Sequence, residues 1–393
     1  AKRNRLLTRL YEKGELSDDD YELAIEEPLI GEPYPMPQYA PHLVEHYHKT
    51  AHGKLTTTAI DLSLQQRVEE LATRWSKELR GQNIRDIAVV ISEVESGDVI
   101  AYCGNSDMSF EREGKWVDIA RSHRSSGSIL KPLLYAAALQ EGVILPNSLL
   151  PDVPTDFGGF VPKNFDGTYA GAIAADEALA LSLNIPNVHL LKEYGVARFA
   201  ESLQQAGFSS LTRPADEYGL SLVLGGAEVR LVDVVSCYSS MARCYTDSLA
   251  CVGFPLNDKV ALHYTFNAMR EVNRPDQMDW RRASSVQNVA WKTGTSYGSR
   301  DAWAVGVTPK YVVGIWVGNA DGSGVPELTG SRTAGPILFD MFNLLPYAKW
   351  FAEPNASDGV MLRVCAHSGH LAGRHCSETK EVLLPVKSVD SPR

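Results

Sequence analysis

Long apolar runs are missing from this 393-residue sequence. No stretch approaches the roughly 20 residues that span a bilayer, so no membrane helix is expected within it. The opening AKRNRLLTRLYEKG reads as an amphipathic helix rather than a signal peptide. Dense basic blocks are also lacking: 38 Lys and Arg face 48 Asp and Glu, a formal net charge of -10, which argues against a nucleic-acid footprint. Acidic runs such as Asp18-Asp19-Asp20 read as solvated faces. Cysteine is scarce, and six in a chain of this length do not make a disulfide scaffold. Cys237 and Cys244, seven apart in a helix-like segment, are expected to be buried single thiols. Cys365 and Cys376, in VCAHSGHLAGRHC, form the candidate pair, and a bridge between them would imply an oxidising compartment. His367, His370 and His375 lie nearby, but the spacing matches no metal-ligand pattern cleanly, so no metal and no cofactor is expected.

What is present is ordinary for a globular protein, with 44% hydrophobic and 22% charged residues. The length suggests one large domain with smaller flanking pieces. The first thirty residues predict two helices, the first ended by Gly14 and the second capped by Ser17 in an S-x-x-D box. Prolines at 28, 33, 35, 37 and 41 then rule out a helix or central strand and predict an extended crossing segment. Beyond it, LSLQQRVEELATRWSKEL sets Leu64, Val68, Leu71, Trp75 and Leu79 on one helical face.

IAVVISEVESGDVIAYCG predicts a strand, a Ser-Gly-Asp turn and a second strand. Three more strands follow much later, in VAWKTGT, DAWAVGVT and YVVGIWVGN, the last two joined through Pro309-Lys310. An antiparallel sheet is therefore built from both ends of residues 86 to 319, with a mainly helical insertion between. Strands outside and helices in the middle indicate an α+β fold rather than alternating βαβ units.

Within the insertion stands SSGSILKPLLYAAAL, which carries an S-x-x-K at Ser128 and Lys131. The pattern alone is weak, and a second match occurs at Ser377 to Lys380 in a polar tail with no apolar helix after it. Around the first match, Gly127 permits close approach, Pro132 fits only a first helical turn, and Leu133 to Leu139 is apolar on nearly every face. Two readings are open for this stretch. Ser128 can cap a helix while Lys131 snorkels to solvent. Alternatively, Ser128 is a nucleophile at a helix N-terminus, where backbone N–H groups favour developing negative charge, with Lys131 one turn away within reach of its hydroxyl. Ser182-Leu183-Asn184 and Lys292-Thr293-Gly294 add to the second reading through their order and spacing, although each is cheap alone.

From about Thr56 to Leu345 the sequence resembles the transpeptidase domain of a class A penicillin-binding protein. RSSGSILKPLLY is similar to that family's active-serine motif, PKNFDGTYAGAIAADEALALSLNIPNV to its second motif, and WKTGTSYGSRDAWAVGVTPKYVVGIWVGNADG to its third. The last stretch, GLSLVLGGAEVRLVDV and AGPILFDMF are most similar to the penicillin-binding protein 1C branch. The implied fold is that of these transpeptidases and the serine β-lactamases: a central antiparallel sheet flanked by helices. Residues 1–55 resemble the end of a glycosyltransferase domain plus a proline-rich linker, 56–345 the transpeptidase domain, and 346–393 a shortened start of a C-terminal domain. The family's glycosyl-transfer motif and membrane anchor are not in the sequence, so no glycosyltransferase activity is expected of it.

The resemblance implies a peptidoglycan D,D-transpeptidase, acylated by β-lactams, on the periplasmic face of the bacterial inner membrane, with the full-length protein anchored there. Ser128 would be the nucleophile, Lys131 its base and Ser182 a proton relay. Asn184 would bind the substrate amide. Lys292, Thr293 and Thr295 would hold the terminal carboxylate, Gly294 would leave room for substrate to add as a strand, and the N–H groups of Ser128 and Thr295 would form the oxyanion hole. Peptidoglycan stem peptides and β-lactams are the implied partners, with cell-wall synthesis proteins beside them and no nucleic acid. No E-x-x-L-N element follows the second motif, which argues against a β-lactamase. A D,D-carboxypeptidase and a non-catalytic β-lactam or cell-wall sensor are the alternative readings.

Overall fold

Five strands carry the fold of the computed structural model, which describes residues 2–28, 38–247, 251–274 and 287–392. They are β1 (Asp86–Glu93), β2 (Val99–Cys103), β3 (Ala290–Thr295), β4 (Asp301–Val307) and β5 (Tyr311–Gly318). Every pairing is antiparallel, in the spatial order β2-β1-β5-β4-β3. The late strands thus insert beside the early hairpin, and β3, which carries Lys292-Thr293-Gly294, lies at an edge. Residues 87 to 91 of β1 alternate between two cores: Ala88 and Val90 pack on one side, Ile87, Val89 and Ile91 on the other. Both faces of the sheet are therefore covered, which is why the strands read as nearly continuous apolar runs.

One face is covered by helices Leu62–Leu79 and Gly335–Phe342. Leu64, Val68, Leu71 and Leu79 of the first are buried as the periodicity predicts, and Trp75 donates from Nε1 to Asp340 at 2.9 Å. The other face packs on the helical insertion, including Lys131–Gln140, Asn184–Tyr194 and Leu231–Thr246.

By contact density the chain divides into two units, Ala1–Tyr39 and Ala40–Arg393. In the first, helices Lys2–Glu12 and Asp18–Glu26 are joined through Gly14 at φ 74°, and Ser17 Oγ accepts the Asp20 N–H at 3.2 Å, the cap read from the sequence. Tyr11 and Tyr21 stack with ring centroids 4.5 Å apart. Most of the expected proline-rich crossing segment, residues 29–37, lies outside the described residues. In the second unit, the tail forms an antiparallel hairpin of β6 (Val360–Cys365) and β7 (Thr379–Leu384). It docks near the end of the helix that follows Ser128: Lys387 Nζ meets both Glu141 carboxylate oxygens at 2.7 Å, and Ser391 Oγ donates to Gly142 O at 2.6 Å.

The cysteines correct two expectations. Cys237 is a buried thiol, but Cys244 is bridged to Cys251, with the two Cα atoms 5.2 Å apart. Cys365 and Cys376 are free thiols. Hydrogen bonding from Ser368 lowers the Cys365 pKa, to about 6. Among the described residues no group of three or more His, Cys, Asp or Glu is placed to hold a metal, and no helix is long and apolar enough to cross a membrane.

Candidate active site

Helix Lys131–Gln140 begins at Lys131, not at Ser128. Ser128 lies in the preceding turn, held by Ile129 N–H to Ser126 O at 3.1 Å and Lys131 N–H to Ser128 O at 3.3 Å. The expected helix-terminal serine is thus moved one short turn upstream, because Pro132 occupies the first helical turn. Ser128 is half-buried and its side chain makes no cap on this helix, whose N-cap, Leu130, has none. That removes the capping reading of the serine.

The turn lies directly on β3. Gly127 has φ 51°, and a Cβ there would fall 2.7 Å from both Thr295 N and Thr295 O. In return, a Cβ on Gly294 would fall 2.9 Å from Ser126 O and 3.4 Å from the backbone nitrogens of Ser128 and Ile129. The two glycines let two backbones touch. Hence the space that a side chain at Gly294 would need is taken by the serine turn.

The alternation along β3 settles what faces outward. Ala290 belongs to the core on the insertion side and Trp291 to the opposite core, so Lys292 and Gly294 face the serine turn. Thr293 and Thr295 turn their side chains the other way, where Thr295 Oγ1 accepts the Gly330 N–H at 3.0 Å. Backbone polarity runs out of phase with this. Ser296 N–H bonds Asp301 O at 2.9 Å, so by the antiparallel two-residue repeat the N–H and C=O groups of Thr293 and Thr295 point away from β4 toward the open edge.

Between turn and strand stand two buried lysines, 0% and 1% exposed at Lys131 and Lys292. Lys131 Nζ donates to Ser182 O at 2.7 Å, Leu183 O at 3.0 Å and Asn184 Oδ1 at 2.7 Å. Its three protons are thereby used, and the expected hydrogen bond to the Ser128 hydroxyl is not formed in this arrangement. Lys292 Nζ donates to Ser182 Oγ at 2.7 Å and to Thr293 O at 2.8 Å. Ser182 can serve both cations because it adopts the left-handed φ of 57°, which sends its carbonyl toward one lysine and its hydroxyl toward the other. Burial pushes the Lys131 pKa well down, and the charge of Lys292 lowers it further. Burial also lowers Lys292, to about 7.

All eight residues singled out in the sequence, Ser128, Lys131, Ser182, Asn184, Lys292, Thr293, Gly294 and Thr295, therefore meet along one seam. Asn184 opens helix Asn184–Tyr194, with Pro186 in its first turn, and its side-chain Nδ2 donates to Lys163 O at 2.7 Å. Three contributors had no role assigned from the sequence: Gly330, which donates to the Thr295 hydroxyl, Asn164, at the start of the second-motif stretch, and Asp152, which reaches Asn164 from outside that stretch. Nothing in local spacing marks them, since they act across the fold.

Residues 87–342 match the family described as penicillin binding protein transpeptidase domain. Among curated proteins, the chain is 36% identical over 354 residues to penicillin-binding protein 1C of Escherichia coli K12, covering 88% of this chain and 45% of that protein. It is 28% identical over 260 residues to penicillin-binding protein 1A of Neisseria cinerea, covering 58% of this chain and 32% of that one. The chain thus spans less than half the length of these relatives. Among solved structures, penicillin-binding protein 1A from Haemophilus influenzae shares the fold with a TM-score of 0.71 at 17% identity, over 97% of this chain and 81% of the other. The PonA1 protein from Mycobacterium tuberculosis in complex with penicillin V matches with a TM-score of 0.65 at 23% identity, over 81% of this chain and 94% of that one. Family match, sheet order and the seam of motif residues agree: this chain belongs to the penicillin-binding protein transpeptidase domain family.

Proposed function

We propose that this domain is a serine D,D-transpeptidase that cross-links peptidoglycan stem peptides and is acylated by β-lactams at Ser128. The observation that carries the reading is the buried Lys131–Ser182–Lys292 network pressed between the serine turn and the β3 edge. A base must be neutral to take a proton, and the lowered pKa of Lys131 makes that form accessible at moderate pH. Neutral Lys131 keeps two donors and gains a lone pair. One of its three acceptor contacts is then released, and the lone pair turns to the Ser128 hydroxyl.

The Ser128 oxygen attacks the penultimate D-alanine carbonyl of a stem peptide, and its proton passes to Lys131. The Ser128 and Thr295 N–H groups receive the oxyanion. Ser182, whose hydroxyl accepts from Lys292, passes its own proton to the leaving amine and is reprotonated by the one Lys131 took from Ser128, so the C–N bond breaks, D-alanine departs as a neutral amine and an acyl-enzyme remains. Lys292, Thr293 and Thr295 take the substrate carboxylate; the Thr295 hydroxyl accepts from Gly330 and keeps its proton to donate. Asn184 Nδ2 holds Lys163 O with one of its two protons and offers the other to the substrate amide carbonyl. An amine of a neighbouring strand then attacks the acyl carbonyl, the ester bond to Ser128 breaks, and the amine proton returns through Lys131 to the Ser128 oxygen.

We assign residues 1–55 to the end of a glycosyltransferase domain with its linker, 56–345 to the transpeptidase domain and 346–393 to the start of a C-terminal domain, on the resemblance and the partial coverage of longer relatives. The Cys244–Cys251 bridge supports an oxidising location, which we take to be the periplasm, with the full-length protein membrane-anchored. Incubating the protein with pentapeptide-bearing glycan strands and analysing the products by mass tests the reaction: cross-linked dimers with released D-alanine support it. D-alanine release without dimers would instead make the domain a D,D-carboxypeptidase, and neither product would leave a sensor.

A further inference from the structure

Helix Asn184–Tyr194 lacks a cap of its own, for its N-cap residue is Leu183. Its first two N–H groups, of Asn184 and Ile185, are met instead by Asn164 Oδ1, at 2.9 and 3.3 Å, from a loop twenty residues upstream. Asn164 is 3% exposed, and its Nδ2 donates to Asp152 Oδ1 at 2.7 Å and Thr168 O at 2.9 Å. Asp152, 1% exposed, accepts the Ala170 N–H on its other oxygen at 2.8 Å. The carbonyl just before Asn164, that of Lys163, receives Asn184 Nδ2. One dipeptide therefore grips Asn184 by its main chain and by its side chain.

Resting on the acyl-transfer reading above, we propose that Asn164, oriented by Asp152, is a positioning residue for Lys131. Its grip is on the turn that supplies all three oxygens around the Lys131 nitrogen: Ser182 O, Leu183 O and Asn184 Oδ1. Ser182 holds a left-handed conformation that a serine adopts only under constraint, and the adjoining helix start is where the constraint is applied. Loosening it moves the acceptors together, and with them the lysine that must meet the Ser128 proton. The amide is matched to the task, since it accepts at the helix start and donates to a buried carboxylate in one side chain.

The test resolves benzylpenicillin acylation into a non-covalent dissociation constant and an acylation rate constant. Asn164→Ala is expected to lower the rate constant on the order of 100-fold, as for a misplaced reacting group. The dissociation constant should stay within about threefold, because no group that meets the ligand is removed. Asn164→Asp is expected to fail as well, since its carboxylate faces that of Asp152. Combining it with Asp152→Asn restores a donor–acceptor pair and should recover the rate to within about tenfold of wild type. A wild-type rate constant in Asn164→Ala overturns the proposal, as does a folded double variant no faster than Asn164→Ala. If the wild-type chain is not labelled at Ser128, it is the reading of the site that falls, before any variant is compared.

Discussion

Two serine–lysine pairs of identical spacing stand in this chain, and their surroundings are opposite. Ser128 and Lys131 lie between the insertion helices and the sheet, with Lys131 fully buried on three oxygens. Ser377 and Lys380 lie at the start of β7, exposed, where Lys380 donates to Asn147 Oδ1 at 3.0 Å. Lys131 has a second cation, Lys292, beside it that depresses its pKa below what burial alone gives. The spacing is therefore not what makes the chemistry; desolvation, a neighbouring charge and a backbone seam do.

The comparison can be broken most strongly at Lys131. Lys131→Ala is expected to slow penicillin acylation on the order of 1000-fold, the loss of a positioned general base, while circular dichroism reports a folded chain. Next comes the seam: Gly294→Ala drives a Cβ to within 2.9 Å of Ser126 O and should shift Ser128 N–H away from the oxyanion. A loss on the order of 100-fold is expected in the acylation rate constant, as for removal of one oxyanion donor.

A pH profile sharpens the comparison further. Lys131 gains its neutral form as pH rises, which gives an ascending limb. Lys292 loses its charge as pH rises through about 7 and with it the hold on a ligand carboxylate, which gives a descending limb. The second-order acylation constant should therefore be bell-shaped, and Lys292→Ala should lower it and remove the descending limb. The smallest effect belongs to the tail: Ser377→Ala and Lys380→Ala together should leave the acylation constant unchanged, because neither residue contacts the seam.

Much of the site was legible because its parts are local. The strand runs around Lys292, the first-turn Pro132 and the apolar helix after it all act through near neighbours, and the sheet pattern followed from alternating and continuous apolar stretches. What escaped depends on distance in sequence. The reciprocal packing of Gly127 and Gly294 joins residues far apart, and so do the caps from Asn164 to Asn184 and from Gly330 to Thr295. The Lys131 contacts differ from expectation for the same reason: one-turn spacing places Ser128 nearby, but three acceptors from a distant turn take the ammonium first. The Cys244–Cys251 bridge is not legible either, because two cysteines seven residues apart carry no local signal that they pair.

The central claim is that burial and the shared network single out Ser128 as the nucleophile. Incubating the intact chain with benzylpenicillin, followed by peptide mass mapping, tests it most directly. A single penicilloyl adduct on Ser128, absent in Ser128→Ala, is the predicted result; an adduct on any other residue, Ser377 included, or undiminished labelling of Ser128→Ala, would contradict it.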